Sequence, residues 1–269
     1  RSSNILVEYG NNAFLTDGAS HGNRISNILV RNNSNSGILI NGGRNNTLNN
    51  ATSLSNTGNG IYVNSERSNV SNIYVASTGS NGNGFSITSA SNVSVQNVTS
   101  RGNKGFGILL SNLDTSYISN IDVENNTLGG VLMSTSMIRT QLYNSTIRDN
   151  NGTGLAYSGT YLDIQNMSLV NNTISAITIA TAQHSNITNL YIESSASSSV
   201  GTGGLLVTIG LVNSSVRNVL INGTKRTAMS LTSGFSTVQN ATINNVTILN
   251  TARPYNDFEI KGTTNANAR

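Results

Sequence analysis

Asparagine returns down this chain at one point of a repeating frame: Asn27, Asn50, Asn72, Asn97, Asn120, Asn144, Asn166, Asn189, Asn218 and Asn245. The spacings are 23, 22, 25, 23, 24, 22, 23, 29 and 27 residues, and Asn4 continues the series backward by another 23. A unit of about 23 residues cannot bury a hydrophobic face except against copies of itself. The frame therefore predicts a solenoid and argues against the usual layered domains.

The neighbours of each Asn say what the unit is. Two positions before it stands an aliphatic side chain in every repeat: Ile25, Leu48, Val70, Val95, Ile118, Leu142, Ile164, Ile187, Val216 and Ile243. One and three positions after it the apolar residues mostly continue, as in Ile28 and Val30, Ile121 and Val123, or Leu190 and Ile192. Such alternation is the period of a strand with one buried face. Usually ten residues after the Asn a small residue opens another apolar pair: Gly37 with Ile38 and Ile40, Gly60 with Ile61 and Val63, Gly107 with Ile108 and Leu110, Gly154 with Leu155 and Tyr157. Each repeat thus supplies three short strands. With rungs about 4.8 Å apart, roughly eleven of them make a rod on the order of 50 Å long. The Asn is placed at a sharp bend between two strands, where its tolerance of the left-handed conformation is useful. Stacked in register, the amides can bond to one another as a ladder.

The segments SNVSVQNVTSRGNKGFGILLS and SYISNIDVENNTLGGVLMS carry the pattern most fully. In them the chain resembles the pectin lyase-like superfamily with its short β-helix repeats. The resemblance covers nearly the whole chain and implies an all-β fold, a single-stranded right-handed parallel β-helix of about 11 rungs over residues 1–269 as one domain. Right-handed coiling agrees with the handedness of parallel crossovers in general. The resemblance does not fix an activity, because that fold hosts polysaccharide lyases, glycoside hydrolases, epimerases, adhesins and virus tailspikes. In character the chain looks closest to the tailspike and adhesin kinds.

Charged residues are only 10% of the chain, and the formal charge of +4 is scattered rather than gathered into a basic stripe with interleaved aromatics, so nucleic acid is not an expected partner. No run of 18 apolar residues occurs to span a membrane. The absence of cysteine excludes disulfides and thiolate zinc sites. Neither end shows a capping helix or polar capping segment, which solenoids normally need, so the chain is expected to be a segment of a longer one or to have its ends covered by partners. Sixteen Asn-x-Ser/Thr sequons occur, against about 11 expected by chance at this composition, which does not establish glycosylation.

Chemistry must lie on the outward positions. Before the Asn these are polar (Ser26, Asn49, Ser71, Gln96, Ser119, Gln165, Thr188), reading as a solvated wall. Two and four residues after it they hold most of the strand charge: Arg31, Arg101, Asp122, Glu124, Arg148, Tyr191 and Glu193. Arg101, Glu124 and Arg148 occupy equivalent positions on successive rungs, so opposite charges one rung apart should pair. Asp122 and Glu124, about 6 to 7 Å apart along one strand face, are the candidate catalytic carboxylates, with Arg101 or Arg148 beside them. Arginine next to a carboxylate favours its charged form, which suits a nucleophile or base better than a general acid.

The superfamily resemblance implies a different catalytic place, the strand after the long loop, where its lyases gather acidic residues around calcium beside an Arg and its hydrolases cluster Asp. Here that strand's central outward positions read Leu39, Tyr62, Ser86, Leu109, Leu132, Ala156, Thr178, Leu206 and Ser230, with no carboxylate until Glu259. An apolar stripe of this kind suits contact more than chemistry, and Leu39, Tyr62, Leu109, Leu132 and Leu206 are expected at an interface, in a homo-oligomer such as a trimer, or beneath the loop at 194–203. Tyr191 and Tyr62 are candidates for stacking on glycans. His21 and His184 fall in turns about seven rungs apart and form no common metal site; no metal or other cofactor is called for. No Gly-x-Ser-x-Gly elbow or phosphate-binding glycine loop occurs. The reading that results is a fibrous extracellular, cell-surface or virion-surface module that binds a glycan surface, with a polysaccharide lyase or hydrolase as the alternative.

Overall fold

A computed structural model describes residues 2–12, 14–16, 18, 20–80, 82–193, 203–232, 238–251, 258–261 and 266–268. The chain winds as a parallel β-solenoid with no helix among the described residues. One sheet stacks twelve strands, from Ser2–Glu8 through Arg24–Arg31 and on to Ala266–Ala268, each pairing with the strand one turn before and one turn after. A second sheet stacks the intervening strands, from Phe14–Thr16 to Phe258–Lys261. Every strand pair is parallel, and register runs at the repeat length: Ile25 sits beside Leu48, then Val70, then Val95.

Each turn contains two hydrogen-bonded strands rather than the three expected. The Asn bend does not interrupt pairing, so the segments on either side of it join into one kinked strand such as Arg24–Arg31. All ten Asn of the series have positive φ, between 50° and 56°. The bend shifts the inward positions from a spacing of two to three, so that Ile25 and Ile28 are both buried with Asn27 exposed between them. Two further left-handed corners flank it five residues away on each side, for example Asn45 and Ser55 around Asn50, or Thr115 and Asn125 around Asn120. Three corners per turn close the coil.

The core is one continuous column of aliphatic side chains, from Ile25 to Ile243, with Phe85, Met133, Tyr157 and Met167 among them. The expected amide ladder forms on the outside: seven Nδ2-to-Oδ1 bonds of 2.7–3.2 Å link successive members of the series, while Asn72 donates to Asn49 instead of Asn50. A second ladder, six residues further on, is buried. Asn33, Asn56, Asn103, Asn126, Asn150 and Asn172 are 0–1% exposed, with Thr78 and Thr224 in the same column. Asn126 Oδ1 accepts from both the backbone and the side chain of Asn103, at 3.0 and 2.8 Å, and Asn126 repeats the bond to Asn150.

The small residue that opens the second-sheet strand is explained by this inner ladder. A Cβ on Gly107 would stand 2.3 Å from Val123 Cγ1 and 2.6 Å from Asn126 Nδ2, closer than real contacts allow. The side chain of Asn4, residues 194–202 of the long loop, the side chain of Glu259 and parts of the closing segment PYNDFEIKGTT lie outside the described residues. So, in part, do the ends that the capping expectation concerns.

Candidate functional site

Two places on the outer surface concentrate chemistry, one on each sheet. On the first sheet, Glu124 aligns with Arg101 on one side and Arg148 on the other. The charges pair as the register requires: Arg101 Nε stands 3.1 Å from Glu124 Oε1, and Arg148 Nη2 contacts Glu124 Oε2. Asp122 lies further off, 3.9 Å from Arg101 and 3.8 Å from Arg148, and Arg148 also reaches Asp149 at 3.6 Å. The Glu124 side chain is 8% exposed, whereas the two arginines and Asp122 are about two-fifths exposed. Arg101 also lies over the Tyr74 ring, 5.6 Å from its centroid, a cation–π contact. The four candidate catalytic residues are thus brought together, and the better buried carboxylate is held between two guanidiniums.

The polar wall beside this cluster contains an aromatic pair, Tyr117 and Tyr143. Tyr143 shares the column of Ser119 and Gln165, and its ring lies 5.6 Å from Tyr117. Its hydroxyl donates to Asp163, which also accepts from Gln165 and Asn186. Burial, reinforced by the Asp163 carboxylate, pushes the Tyr143 phenol well above its ordinary range. The tyrosines proposed for glycans are similarly engaged. Tyr191 donates to Glu193 at 2.7 Å, which raises its pKa, and the Tyr62 hydroxyl bonds with Thr88 at 2.6 Å.

The second sheet's stripe is less open than its composition implied. Leu39, Tyr62, Leu109, Leu132 and Leu206 are half-buried, and Ser86 and Ser230 are only 1% exposed. Outward side chains stacked one rung apart cover one another, and a serine between larger neighbours, as Ser86 is between Tyr62 and Leu109, disappears beneath them. Where the column narrows to Ala156, between Leu132 and Thr178, a depression of about 230 Å³ opens, with Ser134, Ser158 and Ala180 on its other side. A second, of about 340 Å³, adjoins it at Ser158 and is lined by Ser136, Met137, Ile138, Gly159, Thr160 and Thr181. The register slips at this place on successive rungs, between Met133 and Met137, Tyr157 and Gly159, and Ile179 and Thr181. Irregularities of this kind bend strands and re-aim side chains. Here they turn a flat sheet face into a groove with apolar floor and hydroxyl walls.

The groove ends at a corner of the coil. Thr160 is followed by Tyr161, whose ring stacks on His184 one rung on, with centroids 4.9 Å apart and planes 14° from parallel. On the preceding rung, Arg139 holds Asp114 in a two-oxygen ion pair at 2.8 and 2.7 Å. His184 is therefore a turn residue as expected, but a stacked one; His21 accepts the Arg44 N–H at 3.1 Å. The Tyr161–His184 pair was detectable in the sequence as two rings 23 residues apart in one repeat column.

The sequence family described as "Right handed beta helix region" matches residues 56–189, which include the charged cluster and most of the groove. This chain is a right-handed β-helix. Among solved structures, it is similar to the A-module of the mannuronan C-5 epimerase AlgE4 of Azotobacter vinelandii, at 12% identity and a TM-score of 0.63, over 97% of this chain and 81% of that one. It is also similar to an alginate lyase from Paenibacillus sp. str. FPU-7, at 11% identity and a TM-score of 0.58, over 92% and 94% of the two chains. The catalytic domain of a GH87 alpha-1,3-glucanase, solved with tetrasaccharides, aligns at 13% identity and a TM-score of 0.51; the β-helix covers 63% of that chain with 99% of its own. No curated protein matches it in sequence. At these identities the likeness is one of fold, and the neighbours are polysaccharide-acting enzymes built on it. Among the described residues, no three His, Asp or Glu gather as a metal site, and no helix is long and apolar enough to cross a membrane.

Proposed function

We propose that this β-helix binds polysaccharide along the groove of its second sheet and does not cleave it, as a rod-shaped recognition module of the adhesin or tailspike kind, outside the cell or on a virion. The observation that carries this reading is the groove itself: adjoining depressions across three rungs, lined by hydroxyls over an apolar floor and containing no carboxylate. Concave sites with apolar lining and a few placed polar groups are where ligands bind. The fold shared with an alginate epimerase, an alginate lyase and a glucanase supports a saccharide as ligand. Side-by-side assembly through Leu39, Leu109 and Leu206 is compatible with it, since these flank the groove without lining it.

The competing reading is cleavage at the first sheet by Asp122 and Glu124 with Arg101 and Arg148. Its support is the burial of Glu124 between two guanidiniums. One experiment separates the two. The purified protein is run by affinity electrophoresis through gels containing neutral or acidic polysaccharides, and the same mixtures are assayed for new chain ends. Retardation without new ends is expected. Ala156→Arg, which fills the groove from an outward position, is expected to abolish retardation while leaving the melting temperature within a few degrees. New chain ends that vanish in Asp122→Asn or Glu124→Gln overturn the binding-only reading.

A further inference from the structure

The groove has a property that bears on which saccharides it takes. The four successive strands that form and flank it, Gly129–Ile138, Thr153–Thr160, Ser175–Gln183 and Gly203–Val212, contain no Asp, Glu, Lys, Arg or His. A polymer of uronic acids laid in this groove would lose water from a carboxylate at every sugar with no cation to meet it, which is costly. The guanidinium on the neighbouring corner, Arg139, already has its charge met by Asp114. An uncharged sugar needs only hydroxyl partners and an apolar surface for its C–H face.

Both are present. Ser136, Ser158, Thr160 and Thr181 supply hydroxyls, and three of the exposed large apolar side chains stand at this end of the groove: Ile138 at 36%, Tyr161 at 52% and Ile209 at 54% exposure. Ile138 lines the groove, and Ile209 falls at the register slip beside Thr181. Tyr161 and His184 have φ of 56° and 50°, in a column of left-handed corners where other rungs place Asn45, Arg67, Asn92, Thr115, Arg139, Asn213 and Asn240. Asn and His are enriched in this conformation, whereas a tyrosine is uncommon there, so at this end of the groove Tyr161 is the residue that the backbone does not favour. Half of Tyr161 remains exposed even with His184 stacked on it.

We propose that the groove takes an uncharged saccharide, one pyranose ring of which packs against the Tyr161–His184 pair at the groove's end. This rests on the polysaccharide-binding reading above and assigns its ligand class and an end subsite. The sugar's C–H face lies on the aromatic surface while its hydroxyls exchange hydrogen bonds with the serine and threonine walls.

The test uses the whole chain, with soluble glucan, mannan and galactan as neutral probes, alginate and polygalacturonate as charged ones, and Kd from titration calorimetry. A neutral probe is expected to bind, and the charged ones are not. Tyr161→Asn adopts the residue that other rungs use at this corner, so it is expected to melt no lower than the parent and to bind about tenfold more weakly; Tyr161→Phe is expected to bind as the parent does. Preference for the charged probes, or undiminished binding by Tyr161→Asn, overturns this proposal and leaves the groove reading standing provided Ala156→Arg still abolishes binding. Failure of every probe to bind overturns both.

Discussion

Asn120 and Asn126 stand six residues apart in one rung and face opposite ways. Asn120 is exposed at a left-handed bend, and Asn126 is sealed inside, giving both amide atoms to neighbouring rungs. The outer column was legible in the sequence because each member follows an aliphatic residue at a fixed offset. The inner one was not, because it hides in doublets: in Asn32–Asn33, Asn125–Asn126 and Asn171–Asn172 the first residue makes the exposed corner and the second is buried. A serine three residues before the inner Asn marks only Asn56 and Asn103, whose buried amide N–H groups donate to Ser53 and Ser100 at 2.9 and 3.0 Å; before Asn33, Asn126, Asn150 and Asn172 that position is aliphatic and carries no such signal. Tyr157 shows the reverse case, a polar group in the core whose hydroxyl has no partner among the described residues. Leaving a buried hydroxyl unpaired costs about 1–3 kcal/mol, so Tyr157→Phe is expected to stabilise the β-helix by about 1 kcal/mol in urea unfolding. Burial also pushes the Tyr157 phenol far above its ordinary range. The folded state then holds a proton that the unfolded chain releases above about pH 10, and stability falls as pH rises past that point. The fall is expected to be shallower in Tyr157→Phe; an equal slope in parent and variant would show that this tyrosine does not set it.

At the scale of strands, what the sequence conveyed was register, and what it withheld was relief. Equivalent positions on the Ser94–Arg101, Tyr117–Glu124 and Gln141–Arg148 strands could be read directly, because parallel pairing repeats at one interval, and the Arg101–Glu124–Arg148 pairs followed from it. The groove depends on slips such as Met133 to Met137, which break that interval and carry no residue signature of their own in Met-Ser-Thr-Ser-Met. The same strand arithmetic bears on the charged cluster. Removing the charge of Glu124 leaves two arginines without their better buried partner, but both are about two-fifths exposed to water, and partly solvated pairs contribute little. Glu124→Gln is therefore expected to cost about 1 kcal/mol in unfolding free energy, less in high salt. Saccharide binding is expected to be unchanged, because the cluster and the groove lie on different sheets. A Glu124→Gln protein that folds normally but no longer binds would place recognition on the first sheet instead.

Across the whole molecule, contacts run between one turn and the next, so the rod behaves as a stack whose rungs are exchangeable in register. Removal of one complete repeat should then preserve the fold, whereas removal of half a repeat sends inward residues outward. Deleting residues 98–120 joins Asn97 to Ile121, which restores the sequence of one bend and leaves the groove strands intact. This variant is expected to keep a β-rich circular dichroism spectrum, a cooperative melt and the parent's affinity for saccharide. Deleting residues 145–166 joins Asn144 to Met167 by the same logic but removes Ala156, Ser158, Thr160 and Tyr161. It is expected to fold as well as the first deletion and to bind nothing. The pair separates the two roles of the repeat, since each deletion shortens the rod by one turn and only one touches the groove. Equal binding by both would move recognition away from these rungs, and collapse of both would show that turns in this β-helix are not interchangeable, as they would be if the register slips on the second sheet tie several rungs into one cooperative unit.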